Sequence, residues 1–267
     1  MIKSNFHTHT TFCDGKNTPE EVVVNAIEKG FLSIGFSSHA YTEFDLRYCM
    51  KDTDGYIAEI NRLKNKYKGQ IQIYLGVEED AFQFVDRSKF DYIIGSSHYF
   101  HVNNKYMPID SNRDYFIKCL EEFNYNIPLF AETYYSSFCN YIVKRKPDII
   151  GHFDLITKFD ELDESLFLNN KEYNDIAEKY IEKIASLGCY FEVNTGAIAR
   201  NLRTNPYPKE NLLHILKKHS VGLVLASDSH VVDTLDFKFE DTVHYLREIG
   251  FDHLFFIYNN KFTKYDI

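Results

Sequence analysis

Ile71-Gln72-Ile73-Tyr74-Leu75-Gly76-Val77-Glu78 reads as a β-strand, and its parity decides how the chain is wound. Side chains alternate across a strand, so Ile73, Leu75 and Val77 form one apolar set while Tyr74, Gly76 and Glu78 share the other face. An apolar face suits a covering of helices, and a carboxylate ending the opposite face suits the functional rim of a parallel barrel. Parity therefore selects Glu78, not Glu79, as the inward group.

The flanking chain repeats this unit. Ser4 to His9 reads as a first strand, and Thr18-Pro19-Glu20-Glu21 supplies an N-cap, a first-turn proline and a capping-box glutamate for a helix reaching about Gly30. Leu32 to His39 is a second strand, followed by a helix with Tyr56, Ile60, Leu63 and Tyr67 on one face. Asp91 to His98 is the fourth strand; helices over Arg113 to Tyr125 and Tyr134 to Lys146 enlarge the next connection. Asp148 to His152 is the fifth, and Tyr173, Ile176, Ala177, Tyr180, Ile181 and Ile184 mark an amphipathic helix that Gly188 closes. Cys189 to Asn194 and Val221 to Ala226 are strands six and seven, separated by a helix starting near Pro208. A helix from Glu240 to Ile249 and a strand-like Leu254 to Tyr258 end the chain. Repeated βα units without antiparallel hairpin signals predict a parallel sheet, and seven or eight of them predict an α/β barrel.

Six histidines and three carboxylates fall where these strands end: His7, His9, Asp14, His39, Glu78, His98, His152, Asp228 and His230. Neutral imidazole and carboxylate are ligands for zinc, manganese and iron, and several ions held close together need donors from many segments. His7 and His9 share a face, as do Asp228 and His230. One histidine at one strand end is ordinarily a polar residue satisfied in a loop. Recurrence at several strand ends predicts a metallohydrolase. His214, His219, His244 and His253 lie on or just after helices and are expected at the surface, whereas His101 sits in a loop expected to overhang the site.

Composition narrows the rest. No Pro/Gly/Ser-rich linker interrupts the 267 residues, so residues 1–267 are expected to form a single domain. Hydrophobic residues make up 44%, with 23 Phe and 20 Tyr, enough for a large core. The net charge of −9, without a Lys/Arg cluster, predicts neither a nucleic-acid nor a membrane partner and requires local capture of any anionic substrate. Met1 to Asn5 leads into a strand without a signal-peptide core, which makes the cytoplasm the expected compartment. The five cysteines are scattered and lack a Cys-x-x-Cys pair, so neither disulfides nor a thiolate site is expected. Nothing in the sequence sets an oligomeric state.

Phe6-His7-Thr8-His9-Thr10, Ser38-His39, Gly76-Val77-Glu78, Gly95-Ser96-Ser97-His98, Gly151-His152-Phe153-Asp154-Leu155, Glu192-Val193-Asn194-Thr195 and Ser227-Asp228-Ser229-His230 together resemble the PHP (polymerase and histidinol phosphatase) superfamily, in particular its monofunctional phosphatase branch. The resemblance implies a distorted (β/α)7 TIM-like barrel with a trinuclear centre of Zn, Mn or Fe. One ion would take His7, His9 and Asp228, a second His98 and His152, with Glu78 bridging; Asp14, His39 and His230 would hold the third. Glu78, Asp228 and His230 are the implied catalytic groups. Three divalent ions against three carboxylates leave an excess of about +3, suited to a phosphate-monoester dianion. The implied reaction is hydrolysis of L-histidinol phosphate to L-histidinol and phosphate, in histidine biosynthesis, through a metal-bridging hydroxide. The alternatives are a phosphoesterase acting on a nucleotide or other small ester, and a non-catalytic metal-binding protein. Arg200, Arg203 and Lys158 are the candidates for an outer phosphate clamp. Glu43, Asp45, His101 and the tyrosines near Tyr99 and Tyr106 are the candidates for the substrate's cationic end.

Overall fold

A computed structural model describes residues 3–162 and 166–267. The elements follow in chain order as β1 (Ser4–Asn5), α1 (Pro19–Glu28), β2 (Ser33–Phe36), α2 (Thr53–Lys66), β3 (Gln72–Asp80), β4 (Tyr92–Ser96), β5 (Tyr99–Val102) and β6 (Lys105–Pro108). They continue as α3 (Arg113–Glu122), α4 (Ile127–Arg145), β7 (Ile149–Ile150), α5 (Lys171–Ile184), β8 (Tyr190–Asn194), α6 (Gly196–Ala199), α7 (Glu210–Lys218), β9 (Leu223–Ala226), α8 (Phe239–Ile249), β10 (His253–Tyr258) and β11 (Lys261–Asp266). Strands β1, β2, β3, β4, β7, β8 and β9 pair in that order and in parallel. A parallel bridge between Thr8 and Ser229 joins the first of the seven to the last, with His9 N–H donating to Ser229 O at 2.8 Å and Ser229 N–H to His7 O at 3.1 Å. Asn5 Nδ2 donating to Ser227 Oγ at 2.7 Å continues this seam. The result is a (β/α)7 barrel closed at its carboxyl-terminal rim.

The parity of β3 appears in the packing. Ile73, Leu75 and Val77 lie outside with Val22, Val23 and Ala26 of α1 and Tyr56, Ile60 and Leu63 of α2, each buried Ile, Leu or Val side chain contributing about 1.5–3 kcal/mol. Tyr74 lies inside with Phe6 and Tyr92. Tyr92 reaches across the barrel, donating to Phe6 O at 2.6 Å and sharing its hydroxyl with Phe36 O at 3.1 Å. A Cβ on Gly76 would stand 2.2 Å from the Tyr92 ring, which is why that inward position carries none. At the start of α1, Thr18 and Glu21 form both arms of the capping box.

Three features depart from expectation. Two antiparallel hairpins are present, β5–β6 and β10–β11. Their turns are Asn103-Asn104 (φ 51 and 60) and Asn259-Asn260 (φ 50 and 58). Consecutive left-handed residues are what a two-residue hairpin turn needs, and asparagine tolerates them. The Asn-Asn pairs were the available signal. The second hairpin reaches the amino-terminal end of β3, where Gln72 Nε2 donates to Asn259 Oδ1 at 2.7 Å and Asn260 N–H donates to Tyr74 Oη at 3.3 Å. Helix α4 starts at Ile127 instead of Tyr134 because Asn126 caps Leu129 N–H and Pro128 occupies the first turn. Strands β1 and β7 are short because the backbone past each turns to side-chain partners: His7 N–H donates to Asn5 Oδ1 at 3.0 Å and His152 N–H to Glu192 Oε1 at 2.6 Å. Among the described residues, no helix is long and apolar enough to cross a membrane.

Candidate metal centre

All nine rim residues converge at the carboxyl-terminal end of the barrel, and Glu78 is their hub. Its Oε2 lies 3.3 Å from His7 Nε2, 3.6 Å from His9 Nε2 and 2.8 Å from His39 Nδ1. Its Oε1 lies 3.4 Å from His98 Nε2 and 3.2 Å from His152 Nε2. Asp228 Oδ1 stands 3.1 Å from His9 Nε2 and 3.6 Å from His7 Nε2. Asp14 Oδ1 stands 3.3 Å from His230 Nε2 and 3.7 Å from His39 Nε2. Three sets have donor atoms close enough to grip one ion each: His9, Asp14, His39 and His230; His7, His9 and Glu78; His39, Glu78 and His98. His39 belongs to two of these sets. His152 and Asp228 belong to none; His152 meets the cluster through Glu78 and through the rings of His98 at 5.1 Å and His7 at 5.7 Å.

The donors are buried yet incompletely bonded. His7 Nε2, His9 Nε2 and Glu78 Oε2 have no hydrogen-bond partner among the described residues, although burying such atoms unpaired is costly. Burial resists charge on Glu78, but His7, His39 and His98 outweigh it and hold the carboxyl well below the usual range. Burial likewise lowers His7, yet Glu192, Glu78 and Asp228 raise it well above 6.5. His39 and His98 are also raised, against burial, chiefly by Glu78. His9 falls to about 3, through burial and the neighbouring His230 and His39. The cluster thus holds its carboxylates charged and favours protons on His7, His39 and His98 that a divalent ion would displace, a donor set suited to such ions.

Outer partners orient several rings. Glu192, buried on β8, lies 2.7 Å from His7 Nδ1, accepts from His152 N–H and also accepts from Asn194 Nδ2 at 2.7 Å. Asp80 Oδ2 accepts from His98 N–H at 3.0 Å and lies 3.2 Å from His98 Nδ1. Such carboxylates fix the tautomer and aim of a metal-binding imidazole. In the sequence Glu192 stands only as part of the motif Glu192-Val193-Asn194-Thr195, without a role, and Asp80 does not stand out at all. A charged residue within an otherwise apolar strand, two positions before the rim residue Asn194, is the signal that could have found Glu192. Cys13 Sγ is 3.5 Å from His9 Nδ1, and burial pushes this thiol up to about 11.

The cluster opens into a cavity of about 720 Å³. Arg200 lines it, donating to Asp228 Oδ2 at 3.1 Å from Nη1 and to Asp228 O at 3.1 Å from Nη2. Lys158 lines it as well. Arg203 does not: its guanidinium is buried against the Tyr207 ring at 4.2 Å, donates to Thr157 Oγ1 at 2.5 Å and pairs with Asp154 at 3.5 Å. Glu43 and His101 are exposed outside the cavity wall, His101 stacking on Tyr106 at 4.5 Å. Asp45 is on the wall, but Arg47 and Tyr99 occupy both its oxygens. His214, His219 and His244 sit at helix surfaces beside glutamates.

Fold and site define a parallel barrel whose rim carries a cluster of six histidines and three carboxylates able to hold metal. A model of the PHP domain family matches residues 5–196, and the chain belongs to that family. It is 29% identical over 271 residues to a protein of Schizosaccharomyces pombe called "Probable histidinol-phosphatase", covering 93% of this chain and 87% of that one. It is 27% identical over 265 residues to the histidinol-phosphatase of Bacillus subtilis, covering 90% and 98%. Its fold matches the histidinol phosphate phosphatase of Lactococcus lactis, solved with zinc, L-histidinol and phosphate, with a TM-score of 0.74 at 20% identity over 98% of each chain.

Proposed function

We propose that the chain acts as one catalytic unit, a cytoplasmic metal-dependent phosphomonoesterase converting L-histidinol phosphate to L-histidinol and phosphate. The observation that carries this reading is the set of buried, unpartnered atoms of His7, His9 and Glu78 aimed at one another inside a ring of further donors. That arrangement fits ions. His7, His9 and Asp228 would hold one, His98 and His152 a second, with Glu78 between them, and Asp14, His39 and His230 a third. When bound, divalent zinc, manganese or iron would acidify a water and neutralise phosphoryl oxygens.

The chain's own groups do the remaining work. Glu192 and Asp80 keep the Nδ1 atoms of His7 and His98 engaged, so each ring presents Nε2 to the cluster. Arg200 holds Asp228 charged against its burial and retains donor capacity toward the cavity. Arg200 and Lys158 are the cations placed to receive the non-bridging oxygens of a phosphate, which suits a field that is otherwise negative. Asp228 and His230 line the same cavity, and Glu78 lies behind its wall against His39 and His98.

The deciding measurement is kcat/KM for histidinol phosphate against AMP, glycerol phosphate and p-nitrophenyl phosphate at matched metal loading. A preference of at least about a hundredfold, or ~2.7 kcal/mol, supports the assignment. Equal rates would leave an unselective phosphoesterase, and a preference for AMP would make the protein a nucleotidase. Metal analysis of the same sample should find two to three ions per chain.

A further inference from the structure

Two carboxylates of the cavity wall lie outside the histidine cluster, Asp45 and Asp110. They differ in what they have left to offer. Asp45 Oδ1 accepts from Arg47 N–H at 3.2 Å and Nε at 2.8 Å, and Oδ2 accepts from Arg47 Nη2 at 2.5 Å and Tyr99 Oη at 2.9 Å. Asp110 Oδ2 accepts from Lys158 Nζ at 3.2 Å, while the same ammonium donates to Asp110 O at 2.8 Å. Asp110 Oδ1 has no partner among the described residues, and a quarter of the side chain is accessible. This is an ion pair held against the cavity with one carboxylate oxygen unused.

We infer that the Asp110–Lys158 pair opens on substrate binding, Lys158 passing to the phosphate and Asp110 to an ammonium on the neighbouring carbon of the ester. The inference rests on the functional reading above and names the group that gives it selectivity. A substrate with a phosphate and an adjacent ammonium carries the mirror image of this pair, so exchanging partners leaves every charge matched. A phosphate ester without the amine recruits Lys158 and leaves Asp110 partly buried without its bonded ammonium, faced only by His98 and His152, which is costly. Discrimination then comes from a site group left unsatisfied by the wrong ligand, the stronger route to specificity. Asp45 cannot serve, because releasing it would break its bonds to both Arg47 and Tyr99.

The test measures kcat/KM for histidinol phosphate and for the same ester lacking the amine, in the wild-type holoenzyme, Asp110→Asn and Asp110→Glu, with metal content determined for each. Asp110→Asn should lose about 30-fold on histidinol phosphate, mainly through KM, while the amine-free ester stays level or improves, and Asp110→Glu should restore part of the preference. An equal fall on both esters would overturn the inference, since Asp110 would then only position Lys158, and so would an unchanged preference. A wild-type enzyme that hydrolyses the amine-free ester but not histidinol phosphate would instead overturn the functional reading, and this inference with it.

Discussion

Glu78 and Glu79 are adjacent, both buried, and have opposite surroundings. Glu79 faces outward and is saturated: Tyr141 Oη donates at 2.9 Å, Arg145 at 2.8 and 2.6 Å, and Val85 N–H at 2.7 Å. Its partners hold fixed protons or a fixed charge. Glu78 faces inward among five imidazoles, groups that can give up protons, and Oε2 is left without a hydrogen bond. Burial alone therefore does not mark a functional carboxylate. What distinguishes them is whether the surrounding donors can be exchanged for a cation.

The sharpest way to break the contrast is to remove each charge in turn. Glu78→Gln is expected to lower kcat/KM at least about a thousandfold with loss of metal, whereas Glu79→Gln should keep kcat within about threefold while losing roughly 2–3 kcal/mol of stability in urea denaturation. That loss is discounted from a fully buried pair because Arg145 is 23% exposed. Equal losses of activity would show that the inward and outward faces are misassigned. Chelation of the holoenzyme should abolish hydrolysis and lower Tm, with both restored by adding zinc or manganese. Activity that survives complete stripping would remove the basis for the contrast.

The two arginines sharpen it further. Arg200→Ala should raise KM and cost roughly 2–4 kcal/mol in kcat/KM with metal content intact, while Arg203→Ala should chiefly lower stability, since its partners are Asp154, Thr157 and the Tyr207 ring. A normal kcat/KM in Arg200→Ala would pass the clamp to Lys158.

The smallest expected effect is in pH. In the metal-free protein the raised His7, His39 and His98 contribute stability that is complete below 6.5 and lost as pH rises through their folded values. The depressed Glu78 contributes stability present above 4.5 and lost as pH falls through its folded value. Ions need the imidazoles deprotonated, so they bind more tightly as pH rises. The Tm gap between loaded and metal-free protein should therefore widen from roughly pH 6 to roughly pH 8. A narrowing gap would mean that these imidazoles do not hold the protons.

The parts that could be read from the sequence are those set by local rules. Parity along residues 71–78 puts Ile73, Leu75 and Val77 outside and Glu78 inside, and strand ends place the nine rim residues together, because side-chain direction and the rim follow from backbone geometry. What failed depends on distant partners. Whether Arg200 or Arg203 meets the cavity is decided by Asp154 and Tyr207 drawing one of them inward, and nothing in residues 194–203 encodes that choice. Asp45 and Glu43 looked equivalent until Arg47 and Tyr99 engaged Asp45. The two hairpins are marked in the sequence only by Asn-Asn pairs, a weaker signal than the βα rhythm around them.

The seam between Thr8 and Ser229 binds the order of synthesis to the chemistry. His7 and His9 are made long before Asp228 and His230, yet one backbone ladder carries all four, and Asn5 and Ser227 beside it are 222 residues apart in sequence. Bringing such distant ends together has a large chain-entropy cost and is slow. An ion gripping His9 and Asp228 would clasp the barrel shut where its last hydrogen bonds form. In metal-starved cells the newly made chain is then expected to pause ajar at this seam, offering the rim segments around Thr8 and Ser229 to proteases and to other copies. Limited proteolysis of freshly refolded metal-free protein should cut near residues 8 and 229 first. If it does, metal supply governs how much of the protein survives as well as how fast it works.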